Sequence, residues 1–195
     1  MPSPIGHVLA GYAIASSAER LPLHLEKPVL RALLFACIAL AVLPDLDLIY
    51  LPIHRTATHS LVATAFVTII AAAVTGWVTG RVDWRVAIFC GLAHLSHIGL
   101  DWMGQDVSRP PGIQVLWPFS DRWFISGWDV FRASERHRPL SVPTIIHNLR
   151  TAAQEVLIFA PIILAPRFVR RFRAGRAGRA GGEVHWEDRA GKAID

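Results

Sequence analysis

Five apolar runs, separated by polar segments of unequal length, organise this chain. The longest uninterrupted run, Leu61 to Gly80, contains no charged residue and matches the roughly 20 residues that a membrane-spanning helix needs. The other four runs are Pro4 to Ala18, Ala32 to Pro44, Val86 to Leu100 and Val156 to Val169. Each of these is short for a span or contains polar residues, so we expect partial spans, tilted helices or helices that end at polar groups. The pattern predicts an all-α, membrane-embedded bundle of about five helices.

The ionisable residues in this pattern lie near the ends of the runs. If the helices alternate in direction, the starts of the first, third and fifth helices and the ends of the second and fourth share one end of the bundle. That end receives His7, Asp45, Asp47, His54, His59, His94, His97, Asp101 and Glu155. The opposite end receives Arg20, Lys27, Arg31, Arg81, Arg85 and the arginine-rich tail. Because ionisable groups inside a membrane are costly and commonly functional, we predict a polar site at the first of these ends.

The segment GLAHLSHIGLDW, Gly91 to Trp102, places three ionisable residues in the fourth run. His94, His97 and Asp101 occupy positions i, i+3 and i+7, which share one stripe of a helix at about 100° per residue. Imidazole nitrogens and a carboxylate are ligands that zinc or a similar divalent ion prefers, and the metal's charge offsets the cost of burying Asp101. The alternative is that the histidines form hydrogen bonds within the bundle while Asp101 caps the next turn. Three such residues on one stripe favour a metal site.

The segment PDLD, Pro44 to Asp47, ends the second run with two carboxylates. If the segment is extended, Asp45 and Asp47 share one side, so that one binds metal while the other orients a ligand or a water molecule. The alternative is a simple helix stop, since Pro and Asp are common turn residues.

The segment HRTATHS, His54 to Ser60, precedes the third run and supplies two more candidate ligands, His54 and His59. Thr58 and Ser60 are possible helix caps. Arg55 is suited to a bidentate contact with a phosphate or carboxylate. Equally, it is a residue whose long side chain reaches the membrane interface.

Composition indicates which solvent the bundle faces. Hydrophobic residues make up 52% of the 195 residues and charged residues 18%, below the roughly 25% charged that soluble domains carry. The mean hydropathy of +0.37 agrees with a membrane protein. We predict a single domain over residues 1–169 and a basic, flexible tail over residues 170–195. Cys37 and Cys90 lie in apolar runs without CxxC spacing and are predicted to be small core residues.

The formal net charge is +5, and much of it comes from arginines that follow the last apolar run. Such a cluster is typical of a cytoplasmic membrane flank. No groove-reading helix accompanies it, so we expect no nucleic-acid partner. The positive-inside rule then predicts a multi-pass inner-membrane protein with a cytoplasmic tail and the polar site toward the outer face.

Aromatic residues are dense in WPFSDRWFISGW, Trp117 to Trp128. They are expected to form an interfacial belt or a wall that contacts lipid acyl chains. Either arrangement keeps this loop at the membrane surface, beside the predicted site.

In order along the chain, GH at Gly6 and His7, LPDLD, HRTATHS, AHLSHIGLDW and GIQVLWPFS resemble the signature of the YdjM-like family of inner-membrane, metal-dependent hydrolases. The resemblance covers residues 4 to 120 and extends more loosely to residue 169. That family is in turn distantly similar to the zinc-dependent phospholipase C and S1/P1 nuclease superfamily. Those enzymes are all-helical and cleave phosphoesters at a cluster of zinc ions.

The resemblance implies a metal-dependent hydrolase that cleaves a phosphoester, with a phospholipid or another membrane-associated molecule as its substrate. It carries the family's acidic ligand, its following His and its HxxxD helix onto Asp45, His59, His97 and Asp101. The remaining roles are expected at other polar residues: metal ligands or their supports at His7, His54, His94 and Glu155, the base at Asp47, and neutralisation of substrate charge at Arg55.

The chain also departs from the family pattern. Thr56 stands where members often have glycine, Leu48 stands where they often have histidine, and the late HxxxE helix of the superfamily has no clean counterpart. We therefore expect one or two divalent ions, with zinc as the metal, rather than three.

Two other functions fit the same residues. A membrane metal-binding or transport protein would use the site without hydrolysis, although the third and fifth runs show no ionisable residue at mid-depth that would line a conduit. A regulatory protein whose histidines sense pH would bind no metal.

Overall fold

The computed structural model describes residues 1–21, 25–136 and 138–191. Within them the chain is helical and forms no β-strand, only two isolated backbone bridges. The five α-helices are α1 (Pro4–Ala18), α2 (Lys27–Val42), α3 (Leu61–Thr79), α4 (Trp84–Met103) and α5 (Val142–Gly191). Two 3₁₀ segments, Leu43–Ile53 and Ala57–His59, join α2 to α3. The predicted all-α class and the number of helices are confirmed.

Local capping explains where several helices begin. Ser3, Ser60 and Asp83 precede α1, α3 and α4, and each of their side chains accepts a hydrogen bond from a backbone N–H in the first turn. Such caps satisfy donors that the helix leaves unpaired. Pro4 adds a ring with the φ angle that the first turn requires, and Gly80 ends α3 with φ of 74°, a left-handed conformation that favours glycine.

Four helical segments are long and apolar enough to cross a membrane. They are Lys27–Ile49, Leu61–Thr79, Trp84–Met103 and Val142–Pro166. With 15 residues, α1 is about 22 Å long at 1.5 Å per residue and is too short for a full span. Large apolar side chains of α3 are exposed, for example Phe66 at 62% and Trp77 at 87%, which suits a helix surrounded by lipid.

The core lies where α1, α2 and α4 pack together. α4 contacts α1, α2 and α3, and α1 also contacts α2. The buried side chains between them are small or medium in size: Ala15, Ala18, Leu33, Cys37, Phe89, Cys90 and Ala93. A Cβ on Gly11 would lie 2.6 Å from the carbonyl oxygen of Cys37, so glycine permits this close approach of α1 to α2. The prediction that both cysteines are core residues is confirmed.

The expected start of the fifth helix near Glu155 is wrong, because α5 begins at Val142. Its first turns bind the preceding segment. Nε2 of His147 donates to the carbonyl oxygen of Ala133 at 2.8 Å, and the Asn148 side chain both donates to and accepts from the backbone of Glu135. These polar contacts stabilise the first turns of α5, which precede the apolar run that hydropathy marks. Glu155 therefore lies inside a helix.

The extended conformation considered for PDLD is also wrong, because residues Leu43–Ile53 form a 3₁₀ helix. With three residues per turn, Asp45 and Asp47 point in different directions rather than to one side.

The chain divides into two compact units, Met1–Phe159 and Ala160–Asp195. The first contains every residue of the candidate site. The second continues the helix to Gly191, and the side chains after Phe168 lie outside the described residues. The predicted boundary near residue 169 and the flexible tail stay predictions.

Candidate metal centre

Two imidazole rings meet at one end of the bundle. His97 comes from α4 and His59 from the 3₁₀ turn before α3, and their Nε2 atoms lie 3.0 Å apart. Both residues are fully buried. Thirty-eight positions separate them in sequence, so the packing of the helices brings the rings together.

The outer nitrogen of each ring is held by an acceptor. Nδ1 of His97 lies 2.8 Å from the carbonyl oxygen of Ala41, which can only accept, so this nitrogen carries the proton. Nδ1 of His59 lies 3.0 Å from the Thr58 hydroxyl and 3.3 Å from Oδ2 of Asp47. Thr58 donates its own proton to Asp47 at 2.5 Å and so accepts from His59. In their neutral forms both rings therefore turn the lone pair of Nε2 toward the other, an arrangement that a proton or a metal cation between the two nitrogens would stabilise.

Two carboxylates complete the group. Oδ2 of Asp101 lies 3.3 Å from Nε2 of His97 and 3.4 Å from Nε2 of His59. With the 3.0 Å separation of the two nitrogens, these distances approach the roughly 3.3 Å between neighbouring ligands of a tetrahedral zinc ion. Oδ1 of Asp45 lies 3.8 Å and 3.9 Å from the same two nitrogens. The four ligand atoms all lie within 4.8 Å of one another and could hold a metal ion.

Exposure differs among these four side chains. Those of His59 and His97 are 0% exposed and that of Asp101 is 1% exposed, whereas Asp45 is 11% exposed. The site is thus closed on the side of α4. Water or a substrate would reach it beside Asp45.

Four buried polar atoms at this site have no hydrogen-bond partner among the described residues. They are both carboxylate oxygens of Asp101 and both ring nitrogens of His7. His7 stacks on His97 with 3.9 Å between ring centroids, and its Nε2 lies 3.5 Å from Oδ1 of Asp101. Leaving a buried charged group unsatisfied costs more than about 3 kcal/mol. A bound cation would supply the missing partner, so these residues fit a divalent metal.

Opposing effects act on the protonation of His59. Burial alone would lower its pKa, but the carboxylates of Asp101 and Asp47 outweigh burial and raise the pKa to about 9. At neutral pH the His59 ring therefore carries a second proton, on Nε2, when no metal is bound, and metal binding must displace that proton.

Asp47 supports His59 from behind. Its Oδ1 lies 2.5 Å from Nδ1 of His54, and its Oδ2 accepts from the backbone N–H of Arg55 at 3.2 Å as well as from Thr58. Asp45 and Asp47 thus face opposite nitrogens of the His59 ring. Asp47, His54 and His59 form a second group that could hold a metal.

Arg55 connects the site to the long loop between α4 and α5. Its Nη1 donates to the Asp106 carboxylate and to the Ser108 hydroxyl, each at 2.6 Å, and its guanidinium lies 5.5 Å from the ring centroid of Trp123. Several donors, with Ser108 the largest, outweigh burial and lower the pKa of Asp106. The φ angle of Arg55 is 65°, a conformation that a non-glycine residue rarely adopts. In this structure its charge is neutralised by Asp106.

Two predicted ligands lie apart from the four-residue group. Nδ1 of His94 lies 2.9 Å from the Thr64 hydroxyl on α3. Glu155 is fully buried and accepts hydrogen bonds from the backbone N–H of Ser3, at 2.6 Å, and from the Ser3 hydroxyl. Their assignments as ligands stay predictions.

A family model described as YdjM inner membrane protein matches residues 1–174. The chain belongs to this family. No curated protein and no solved structure matches it. The family assignment and the four apolar helices together identify this YdjM-family chain as an inner membrane protein.

Several residues that support the site were not singled out from the sequence. Ser3 lies between two prolines, and Asp106 lies two positions after Gly104 and two before Ser108. In such surroundings a turn or cap is the ordinary interpretation of a single polar residue. Thr58 was considered only as a cap. Its position next to a candidate ligand was the one signal that could have marked it as a support for the His59 ring.

Proposed function

We propose that this YdjM-family protein is a membrane-bound, metal-dependent hydrolase that cleaves a phosphoester. The observation that carries the proposal is the convergence of two fixed imidazole lone pairs and an unsatisfied buried carboxylate oxygen within 3.0–3.4 Å. A divalent cation held there would lower the pKa of a bound water toward about 7 and offer positive charge to a phosphoryl oxygen.

The donor set supports zinc as the metal. Imidazole nitrogens and carboxylate oxygens are common zinc ligands, and catalytic zinc sites typically combine three protein ligands with one position open to water. His59, His97 and Asp101 would be the three buried ligands, and the more exposed Asp45 marks the side of the open position. The order of Asp45, His59, His97 and Asp101 along the chain resembles that in the zinc-dependent phospholipase C superfamily, which supports the phosphoester as the bond cleaved. The proposal places one ion at these four residues.

In this proposal the residues of the site have three roles. His59, His97 and Asp101 hold the cation from the closed side, and the more exposed Asp45 borders the approach of substrate. Asp47 orients His59 and fixes its tautomer. This role suits it better than that of the base, because both of its oxygens already accept hydrogen bonds.

Elemental analysis of the detergent-purified, full-length protein tests the metal. Wild type is expected to carry at least one equivalent of zinc or a similar divalent ion, and His97→Gln to lose it. The matched control is His94→Gln, since His94 is buried three positions away on the same helix and lies outside the group of four. Wild type without metal, or equal loss in both variants, would count against the centre.

Hydrolysis is tested separately with bis-(p-nitrophenyl) phosphate, a water-soluble phosphodiester. Activity that requires the metal and disappears in His97→Gln but not in His94→Gln is the expected result. Bound metal with no hydrolysis of this or other phosphoesters would leave a metal-binding or transport protein.

We also propose that the site faces the outer side of the inner membrane and that the carboxyl-terminal tail is cytoplasmic. Arg20, Lys27, Arg81 and Arg85 support this orientation, because they flank the ends of α1 to α4 that lie opposite the site. A phosphatase reporter fused after residue 195 is expected to be inactive and a fluorescent-protein fusion bright. An active phosphatase fusion would reverse the topology.

A further inference from the structure

An apolar groove adjoins the metal centre on the lipid-facing side of the bundle. It has a volume of about 340 Å³. The largest part of its wall comes from one face of α3: Val62, Ala63, Phe66, Val67 and Ile70. The residues from 62 to 70 extend the groove about 12 Å along the helix axis at 1.5 Å per residue.

One end of this groove is lined by residues that adjoin the candidate metal centre. Pro44 lines it and directly precedes Asp45, the most exposed of the four candidate ligands. Thr58 lines it and is bonded to both Asp47 and His59. The groove therefore begins where the site is open and runs from there along a candidate membrane span.

The polar groups in the groove wall are already engaged. The Thr58 hydroxyl donates to Asp47, and Nδ1 of His94 is paired with Thr64. Only apolar surface is left for an occupant to contact, and Trp117 of the long loop adds an aromatic side chain to the wall. An occupant of this groove is a hydrocarbon rather than a polar molecule.

The surroundings of α3 identify the occupant. Phe66 and Ile70 are 62% and 58% exposed, and a helix of this composition exposes such side chains to acyl chains of the bilayer. We propose that the groove binds one acyl chain of a membrane lipid and so presents the headgroup of that lipid to the metal centre. This inference deepens the proposed function, since it makes the substrate a lipid whose phosphoester lies just above its acyl chain.

A tryptophan placed in the groove tests the proposal against a matched neighbour. Ala63 lines the groove, whereas Ala65, two positions along the same helix, is exposed and is not part of its wall. Ala63→Trp is expected to fill the groove near the site, and Ala65→Trp to leave it open. Ile70→Trp closes only the far end and should affect long chains more than short ones.

The readout is photolabelling of detergent-solubilised protein by a phosphatidylglycerol that carries a diazirine on one acyl chain. In wild type the label is expected on the α3 residues of the groove and should be displaced by dioctanoyl phosphatidylglycerol better than by the dibutyryl lipid. Each CH₂ buried is worth a factor of about four in affinity. Ala63→Trp should reduce this chain-length preference at least tenfold, and Ala65→Trp should keep it.

Equal labelling and equal preference in Ala63→Trp and Ala65→Trp would overturn the proposal, as would labelling that no lipid displaces. A groove occupied by a second copy of the chain would instead give cross-linked dimers and no label in the groove, which also overturns it. The elution volume of each variant in size-exclusion chromatography and its Tm in detergent report whether it is folded. Because photolabelling requires no hydrolysis, failure of the groove and failure of the hydrolase are separate results.

Discussion

Replacement of Asp101 by asparagine should show whether this buried residue binds a metal or only packs in the core. The side chain keeps its size and loses its charge. Asp101 is fully buried, and neither oxygen has a hydrogen-bond partner among the described residues. An uncharged amide is a weak metal ligand, so the variant should no longer bind the cation tightly.

The expected magnitude follows from linkage between binding and folding. Free metal at 1,000 times its Kd stabilises a protein by about 4 kcal/mol. For a chain of this size, where 1 kcal/mol shifts Tm by about 2–4 °C, this corresponds to a shift of roughly 8–16 °C. Wild type should show this difference between zinc and chelator, whereas Asp101→Asn should show little. In chelator alone the variant loses the attraction between Asp101 and the protonated His59 ring, so the zinc-minus-chelator difference within each protein, and not the Tm in chelator, is the decisive quantity.

Tryptophan fluorescence during a thermal ramp in detergent measures both conditions. Asp106→Asn is the matched control: Asp106 is also buried, with its side chain 3% exposed, but it pairs with Arg55 outside the group of four. It should lower Tm in both conditions and keep the difference between them. A full metal-induced shift in Asp101→Asn would refute the placement of this carboxylate at the cation.

Three further predictions concern the residues around the centre. Asp47→Asn should weaken metal affinity by about 10–100-fold, as loss of a carboxylate that orients a ligating histidine does elsewhere; competition with a fluorescent chelator measures it, and an unchanged affinity would contradict the role of Asp47. Gly6→Ala should destabilise the protein by about 1–3 kcal/mol, because the new Cβ would lie 2.9 Å from Cδ of Glu155. The control is Gly99→Ala, where no atom lies within 4 Å of the new Cβ; it should be neutral or stabilising in the same thermal ramp. The pKa of Asp106 is lowered in the folded state. Its ionised side chain should therefore stabilise the fold fully above the unfolded pKa of about 3.9, and this stabilisation should be lost as pH falls through the lower folded pKa. Between neutral and acid pH, Tm should fall less in Asp106→Asn than in wild type.

Helix positions were predictable wherever one physical signal dominated. The bounds of α1 were predicted correctly because the apolar run itself starts at Pro4 and stops at Ala18. The start of α5 was not predicted correctly. Hydropathy marks residues that suit a lipid environment, and it does not mark helical residues that lie outside that environment. Its first turns are stabilised by contacts with the segment before them, such as that of Asn148 with Glu135, and no local pattern encodes those contacts.

The candidate site was predictable as a set because alternation of helix direction brings run ends together. The supporting residues were not, because their roles depend on angles that the sequence does not specify. Asp45 and Asp47 illustrate the difference. The 3₁₀ turn directs them to different nitrogens of His59, an arrangement that an extended segment would not give.

His94 and His97 show why one helical stripe does not define one site. At about 100° per residue, positions three apart differ by about 60° around the helix axis. α4 lies between α2 and α3, so this difference is enough for His97 to contact Ala41 of α2 while His94 contacts Thr64 of α3. The same helix therefore supplies candidate ligands on one side and part of the groove wall on the other. Under the proposed function, this geometry would place a bound acyl chain and the metal centre on adjacent faces of one rigid element, and a shift of α4 would move both together.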